Sequence, residues 1–265
     1  MPAEYLTISY SQLFLATLLI AVNLGISIAF QLHLTRSLII ASLRMVVQLL
    51  LIGFVLEWLF NQQNPWLIVA IALLMAGVAG RAAVERTNRR FGGIYWNSIL
   101  SILSAAMVVT GWAVVAIIQV DPWYDPQYVI PLLGMVLGNA LTGISLALDR
   151  LMEGLVNQQN QVESLLALGA NRWEAARRQV QEAVRTGLIP ITNSMMVMGL
   201  VSLPGMMTGQ ILAGASPIDA VRYQIVIVFM IASGTALGTF GVVLLSFNRL
   251  LSPSHRLRLE LLRKP

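Results

Sequence analysis

Apolar and polar positions in this chain are sorted into long blocks. Seven predominantly apolar runs lie at about 13–32, 38–60, 66–80, 96–118, 129–148, 188–213 and 225–246, and the polar and charged residues gather between them. About 20 apolar residues, each rising ~1.5 Å along a helix, cross a hydrocarbon core. The pattern therefore predicts an all-α, polytopic helical membrane protein of about seven transmembrane helices, with residues 1–265 as a single transmembrane domain.

Composition sharpens this picture. Hydrophobic residues make up 57% of the 265 and charged residues only 11%, against roughly 25% charged in an ordinary soluble domain. A soluble globular protein is excluded. The chain has no cysteine, which rules out a disulfide framework, thiolate metal ligands and a cysteine nucleophile.

The net charge of +5 would suggest a nucleic-acid partner in a soluble protein. Here the bases sit at membrane flanks, so the expected partner is the lipid bilayer and no nucleic acid. With the N-terminus outside, the cytoplasmic segments hold Arg36, then Arg81, Arg86, Arg89 and Arg90, then Arg150, Arg172, Arg177, Arg178 and Arg185, and finally Arg249, Arg256, Arg258, Arg263 and Lys264. Every base except Arg44 and Arg222 is then cytoplasmic, which predicts an N-out, C-in topology with a cytoplasmic tail over about 247–265. Met1–Tyr5 carries no base and no small-residue cleavage pattern follows the first run, so an uncleaved first span is expected.

The external loops are short and turn-like, and Trp66, Trp96, Trp123 and Tyr124 fall where interfacial anchors belong. One connection is longer than a helix link needs: a cytoplasmic segment over about 149–187. Within it Val162, Leu165, Leu166 and Leu168 form an apolar patch, Gly169-Ala170 interrupts, and Asn171 with Glu174 makes a capping box. The predicted result is an elbow, with a second helix from Arg172 through Arg185. Its bases are balanced by Asp149, Glu153, Glu163, Glu174 and Glu182, which suits a protein partner better than a lipid surface.

The run Glu163-Ser164-Leu165-Leu166-Ala167-Leu168-Gly169-Ala170-Asn171-Arg172-Trp173 resembles the cytoplasmic coupling loop of ABC transporter permeases, with glutamate and glycine six apart as in the EAA motif. Ser164 and Leu165 stand where that motif has alanines, and Gln181-Glu182 replaces its Leu-Pro. The stretch Ser202-Leu203-Pro204-Gly205-Met206-Met207-Thr208-Gly209-Gln210-Ile211-Leu212-Ala213-Gly214, followed by Pro217 and Tyr223-Gln224-Ile225, resembles the FetB/YbbM family of permeases, which includes bacterial iron-export permeases and the plant aluminium-sensitive and STAR-type proteins. The resemblance extends over essentially the whole chain. It implies a plasma-membrane (Gram-negative inner-membrane) permease subunit of an ABC transporter that exports iron or another metal ion. The partner it implies is a separate ATP-binding cassette subunit, with ATP used there and no cofactor bound by this chain. Glu163, Gly169, Arg172 and Trp173 are the residues it marks for ATPase coupling.

The motif inventory agrees with that division of labour. A P-loop needs Gly-x-x-x-x-Gly-Lys-[Ser/Thr] to hold phosphates, and Lys264 is the only lysine. No His-Glu-x-x-His occurs, and neither histidine, His33 or His255, lies inside a predicted span to serve Ser145 as a base. The chain is therefore expected to be a transport subunit and not an enzyme. An ATP-independent channel, a signalling membrane protein and a permease for a nucleotide sugar remain the competing readings.

Several intramembrane residues are candidates for a translocation path or gate. Arg44 and Gln48 make a polar stripe on the second run, either facing a cavity or with Arg44 reaching the surface or Glu85. Asn139, Thr142 and Ser145 in the fifth run and Asn193 and Ser194 in the sixth offer oxygens that either line a path or bond between helices. Met195, Met196, Met198, Met206 and Met207 surround Pro204-Gly205, with Gln210 beyond, so the sixth run combines thioethers with a helix breaker. Gly134-x-x-x-Gly138, Gly205-x-x-x-Gly209 and Gly234-x-x-x-Gly238 permit close helix approach. A permease with one half per chain needs two copies, so a homodimer is expected.

Overall fold

The computed structural model describes residues 9–62 and 64–263. Met1–Tyr5, Lys264 and the ends of the predicted domain lie outside that range. Nine α-helices account for most of the described residues, and β-pairing among them is limited to isolated bridges. The chain divides into two compact units, residues 1–63 with 212–215, and residues 64–211 with 216–265.

In the first unit, α1 (Tyr10–Ala29) begins at a Ser9/Gln12 capping box and α2 (Thr35–Phe60) follows after a short turn. Ser27, only 2% exposed, closes that turn: its hydroxyl meets the Thr35 hydroxyl at 3.1 Å and accepts the Leu34 N–H at 3.2 Å. Elsewhere both helices turn leucine, isoleucine, valine and phenylalanine outward, as lipid-facing helices do.

The second unit begins with α3 (Pro65–Glu85) and α4 (Ile94–Trp112), the latter extended by a π-helical turn at Ala113–Ile118. Next come α5 (Pro126–Asn157), α6 (Gln159–Ala167), α7 (Arg172–Val197), α8 (Gly205–Leu212) and α9 (Pro217–Leu250). The long α5 is central, packing on α3, α4, α7 and α9. Its buried Leu133, Leu137, Ala140, Ile144, Leu148, Leu151 and Leu155 recur at helical spacing.

Small residues set the closest approaches, as expected where lipid supplies no hydrophobic drive to associate. Ala72, Ala76, Ala79 and Ala83 line the buried face of α3, and a Cβ on Gly80 would lie 2.7 Å from the Ile99 Cα. The tightest junction joins α5, α7 and α9. A Cβ on Gly143 would meet Thr235 Cγ2 at 2.7 Å and Gly187 O at 2.8 Å, and one on Gly187 would meet Gly143 O at 2.6 Å. Of the three predicted glycine pairs, Gly234 and Gly238 pack, against Val136 and Ile144 of α5, whereas Gly205 and Gly209 face open space.

Among the described residues six helices are long and apolar enough to cross a membrane: Ser11–Ala29, Thr35–Phe60, Pro65–Glu85, Ile94–Ile118, Pro126–Asn157 and Pro217–Leu250. They match six of the seven predicted runs. The remaining one, the sixth run at 188–213, is not one helix. It consists of the second half of α7, a break over 198–204, and α8. Gly199 adopts φ +83°, Pro204 brings no N–H, and the loop closes on itself through the Val197 carbonyl, which accepts from Val201 at 2.9 Å, and Gly199 N–H donating to Ser202 O at 2.9 Å.

The same helix corrects the elbow's limits. Residues 149–157 are the last turns of α5, and the helix that starts at Arg172 does not stop at Arg185 but continues to Val197. The elbow and the first part of the sixth apolar run belong to one helix, which carries Pro190 in its interior.

Candidate functional site

The elbow is fixed by two local devices. After α6, Gly169 takes φ +93°, its N–H donates to Leu166 O at 3.1 Å and the Ala170 N–H donates to Leu165 O at 3.0 Å. This is a Schellman ending, and glycine fits it because a Cβ is disfavoured at positive φ. Asn171 then starts α7: its side-chain oxygen accepts the N–H groups of Trp173 and Glu174, both at 3.0 Å, while Glu174 accepts the Asn171 N–H at 2.9 Å. Between the helices Leu168 is 84% exposed, an apolar tip with no cover in the chain.

Arg172 and Trp173 face inward from this tip, onto the end of α9. The Arg172 N–H donates to His255 Nδ1 at 3.0 Å and its guanidinium donates to Leu251 O at 3.3 Å. The guanidinium also lies 5.5 Å from the centre of the Phe247 ring, against which Trp173 packs edge-on at 5.5 Å. Arg172 thereby places a cation and a donor at a helix C-terminus, where carbonyls lack partners. Both residues anchor the elbow, although Trp173 keeps 41% of its surface exposed.

Glu163 is exposed and accepts a hydrogen bond from Gln159 at 2.8 Å. With His255, Arg256 and Glu260 it rims a pocket of about 460 Å³ between α6 and the chain's last segment. That segment is not a loose tail. It turns back beside α9, with Arg258 N–H donating to Leu250 O at 2.8 Å, and pairs with the α3–α4 loop through Arg90 and Arg263. The same end of this unit is tied further by the Asn88 N–H donating to Asp149 at 2.9 Å and by Glu182 accepting from Arg150 of α5 and Arg178 of α7. Arg178 first, then Arg150, hold the Glu182 carboxyl below its ordinary range.

Within the second unit the predicted path residues fall at separate places, and two others belong to the first unit. Arg44 and Gln48 are exposed on α2. Asn139 is exposed on α5 and bonds back to Met135 O at 2.9 Å, while Thr142, Thr192 and Ser194 likewise bond to their own helices and not across to neighbours. Asn193 borders a cleft of about 660 Å³ along α7 with Gln181, Arg185 and Phe240. Met195, Met198 and Pro204 do come together, around a separate cavity of about 470 Å³. Pro204 precedes α8 and kinks no continuous helix, Gly205 is its exposed first residue, and the Gln210 side-chain oxygen on α8 is buried without a partner.

Comparison with known proteins follows this geometry closely in extent. The model of the Uncharacterised protein family UPF0014 matches residues 10–251, from the first turn of α1 to the end of α9. The chain belongs to the UPF0014 family. A UPF0014 membrane protein of Synechocystis is 40% identical over 80% of this chain and 82% of its own. Protein ALUMINUM SENSITIVE 3 of Arabidopsis thaliana is 34% identical over 92% of this chain and 88% of its own. The probable iron export permease protein FetB of Escherichia coli is 30% identical over 97% and 98% respectively. No solved structure matches.

This UPF0014 chain is thus an integral, multi-pass membrane protein of the family its permease-like motif pointed to. Sequence reasoning named Met207 with the other methionines but gave no role to Gln224, which completes the methionine-lined cavity, or to His255, which receives the elbow's first N–H. Gly143 and Gly187 also escaped notice. Gly143-x-x-x-Ala147 and Ala183-x-x-x-Gly187 were available as small-residue signals.

Proposed function

We propose that this UPF0014 protein is the permease subunit of an ATP-driven exporter of a metal ion, iron being the metal in the name of its E. coli relative. ATP is hydrolysed by a separate subunit that docks on the elbow, and two copies of the chain enclose the path. The observation that carries this reading is the exposed Leu168 at a turn made rigid on both sides, on a helix that runs unbroken from that turn into the sixth apolar run. Such a tip can enter a groove on a partner and pass its movement inward.

The test uses the tagged chain purified in mild detergent from its native membrane, beside Leu168→Asp. Leu168 is 84% exposed, so the variant is expected to fold with unchanged thermal stability. Wild-type protein should retain an ATP-binding subunit and catalyse ATP-dependent metal export from vesicles, and the variant should lose both by tenfold or more. Equal ATPase retention and flux in the two proteins would remove the elbow as the docking site.

A further inference from the structure

The open-sided cavity at the helix break is lined by Met195 from the end of α7, Met198, Gly199, Leu203 and Pro204 from the break, Met207 from α8, and Gln224, Val228 and their neighbours from α9. Methionine in a membrane protein ordinarily fills gaps. These three have not done so: about 470 Å³ stays open beside their side chains. Gln224 lines the same cavity, is only 7% exposed, and its side-chain oxygen is buried without a hydrogen-bond partner. A buried amide oxygen left unpaired costs roughly 1–3 kcal/mol, so its position calls for a ligand.

The lining also defines the ligand's chemistry. Three thioethers and one amide oxygen are neutral donors, and no carboxylate or imidazole borders the cavity. A hard divalent or trivalent cation needs anionic oxygen ligands to replace its hydration shell. A soft monovalent cation is bound well by thioether sulfur and brings only one charge into apolar surroundings. We infer that the cavity at the α7–α8 break is a binding site for a soft monovalent cation of the Cu(I) or Ag(I) type, held by the Met195, Met198 and Met207 thioethers and the Gln224 amide oxygen. The site is complete within one chain. Binding needs no ATPase, so its failure and the failure of the export reading are separate results.

Silver(I) is the probe, because it needs no reductant. Wild-type protein in detergent is equilibrated with silver nitrate in chloride-free buffer, passed through a desalting column and assayed for metal per chain by mass spectrometry. The comparison variants are the triple Met195→Leu, Met198→Leu, Met207→Leu, which conserves volume, and the control pair Met75→Leu, Met135→Leu, which lies elsewhere in the bundle. Wild type and control should keep one silver per chain more than the triple variant. Affinity in the triple variant should fall at least 100-fold and in Gln224→Leu about tenfold, all with matching melting temperatures. X-ray absorption at the silver edge should show sulfur neighbours in wild type. Equal silver in wild type and the triple variant, the result given by a cavity that only takes a lipid chain, overturns the assignment. So does an equal loss in the control pair.

Discussion

Replacing Gly143 with alanine tests the packing on which the α5–α7–α9 junction depends, and Gly138→Ala on the same helix supplies its own reference. A methyl at position 143 would sit 2.7 Å from Thr235 Cγ2, 2.8 Å from Gly187 O and 2.9 Å from Thr239 Oγ1. Ordinary carbon contacts lie at roughly 3.5–4.0 Å, so a gap of about 0.8 Å must open on that side. One obstacle is backbone and two are on β-branched threonines, so little of the strain can be relieved by rotating a side chain. Overpacking of this kind costs about 1–3 kcal/mol, and the rigid surroundings place this case near the upper end. At position 138 nothing lies within 4 Å. Alanine gains about 1 kcal/mol of helix propensity over glycine at either site, and this cancels in the comparison. Gly143→Ala should therefore be less stable than Gly138→Ala by about 3 kcal/mol, more than a hundredfold in the unfolding equilibrium. Reversible unfolding in mixed micelles, followed by tryptophan fluorescence, measures the difference. Two variants that unfold within about 0.5 kcal/mol of each other would refute the close-approach argument.

Two further outcomes follow from the elbow's anchorage. Arg172→Ala removes the ring contact with Phe247 and the bond to Leu251 O; amide exchange at residues 168–175 should accelerate at least tenfold while α3 and α4 keep their protection. Glu182, outside the six apolar spans, has its carboxyl lowered from 4.5 by Arg178 and Arg150. A depressed carboxylate adds stability above its unfolded pKa that is lost as pH falls through the folded one. The thermal-stability gap between wild type and Glu182→Gln should thus hold at neutral pH and close only below about pH 4. A gap that already closes near pH 6 would contradict the ion-pair account.

Much of the elbow was legible in the sequence because its determinants are local. Gly169, Asn171 and Glu174 specify their turn and cap through neighbours a few positions away. The membrane character was legible for a similar reason, since block hydropathy records the solvent each segment meets. The break at 198–204 was hidden by that same property. Residues 188–213 are apolar on either side of Gly199 and Pro204, so hydropathy cannot tell a continuous span from a broken one. The inward turn of Arg172 and Trp173 was illegible because it depends on Phe247 and His255, more than seventy positions later. The motif marked these two residues, which pack against the end of α9, whereas the most exposed apolar position of the elbow is Leu168.

The unbroken course of α7 has a mechanical consequence. Its 26 residues, at ~1.5 Å each, make a lever about 39 Å long. With the elbow as the driven end and the pivot about 15 Å from the far end, a tilt of ~10° sweeps that end through roughly 2.6 Å, close to the diameter of a water molecule. That far end borders the methionine cavity, and the Gly143–Gly187 crossing lies between the two like a fulcrum, fifteen residues from one end and ten from the other. A small displacement at the elbow can thus widen or pinch the open-sided methionine pocket at the α7–α8 break without any helix having to melt.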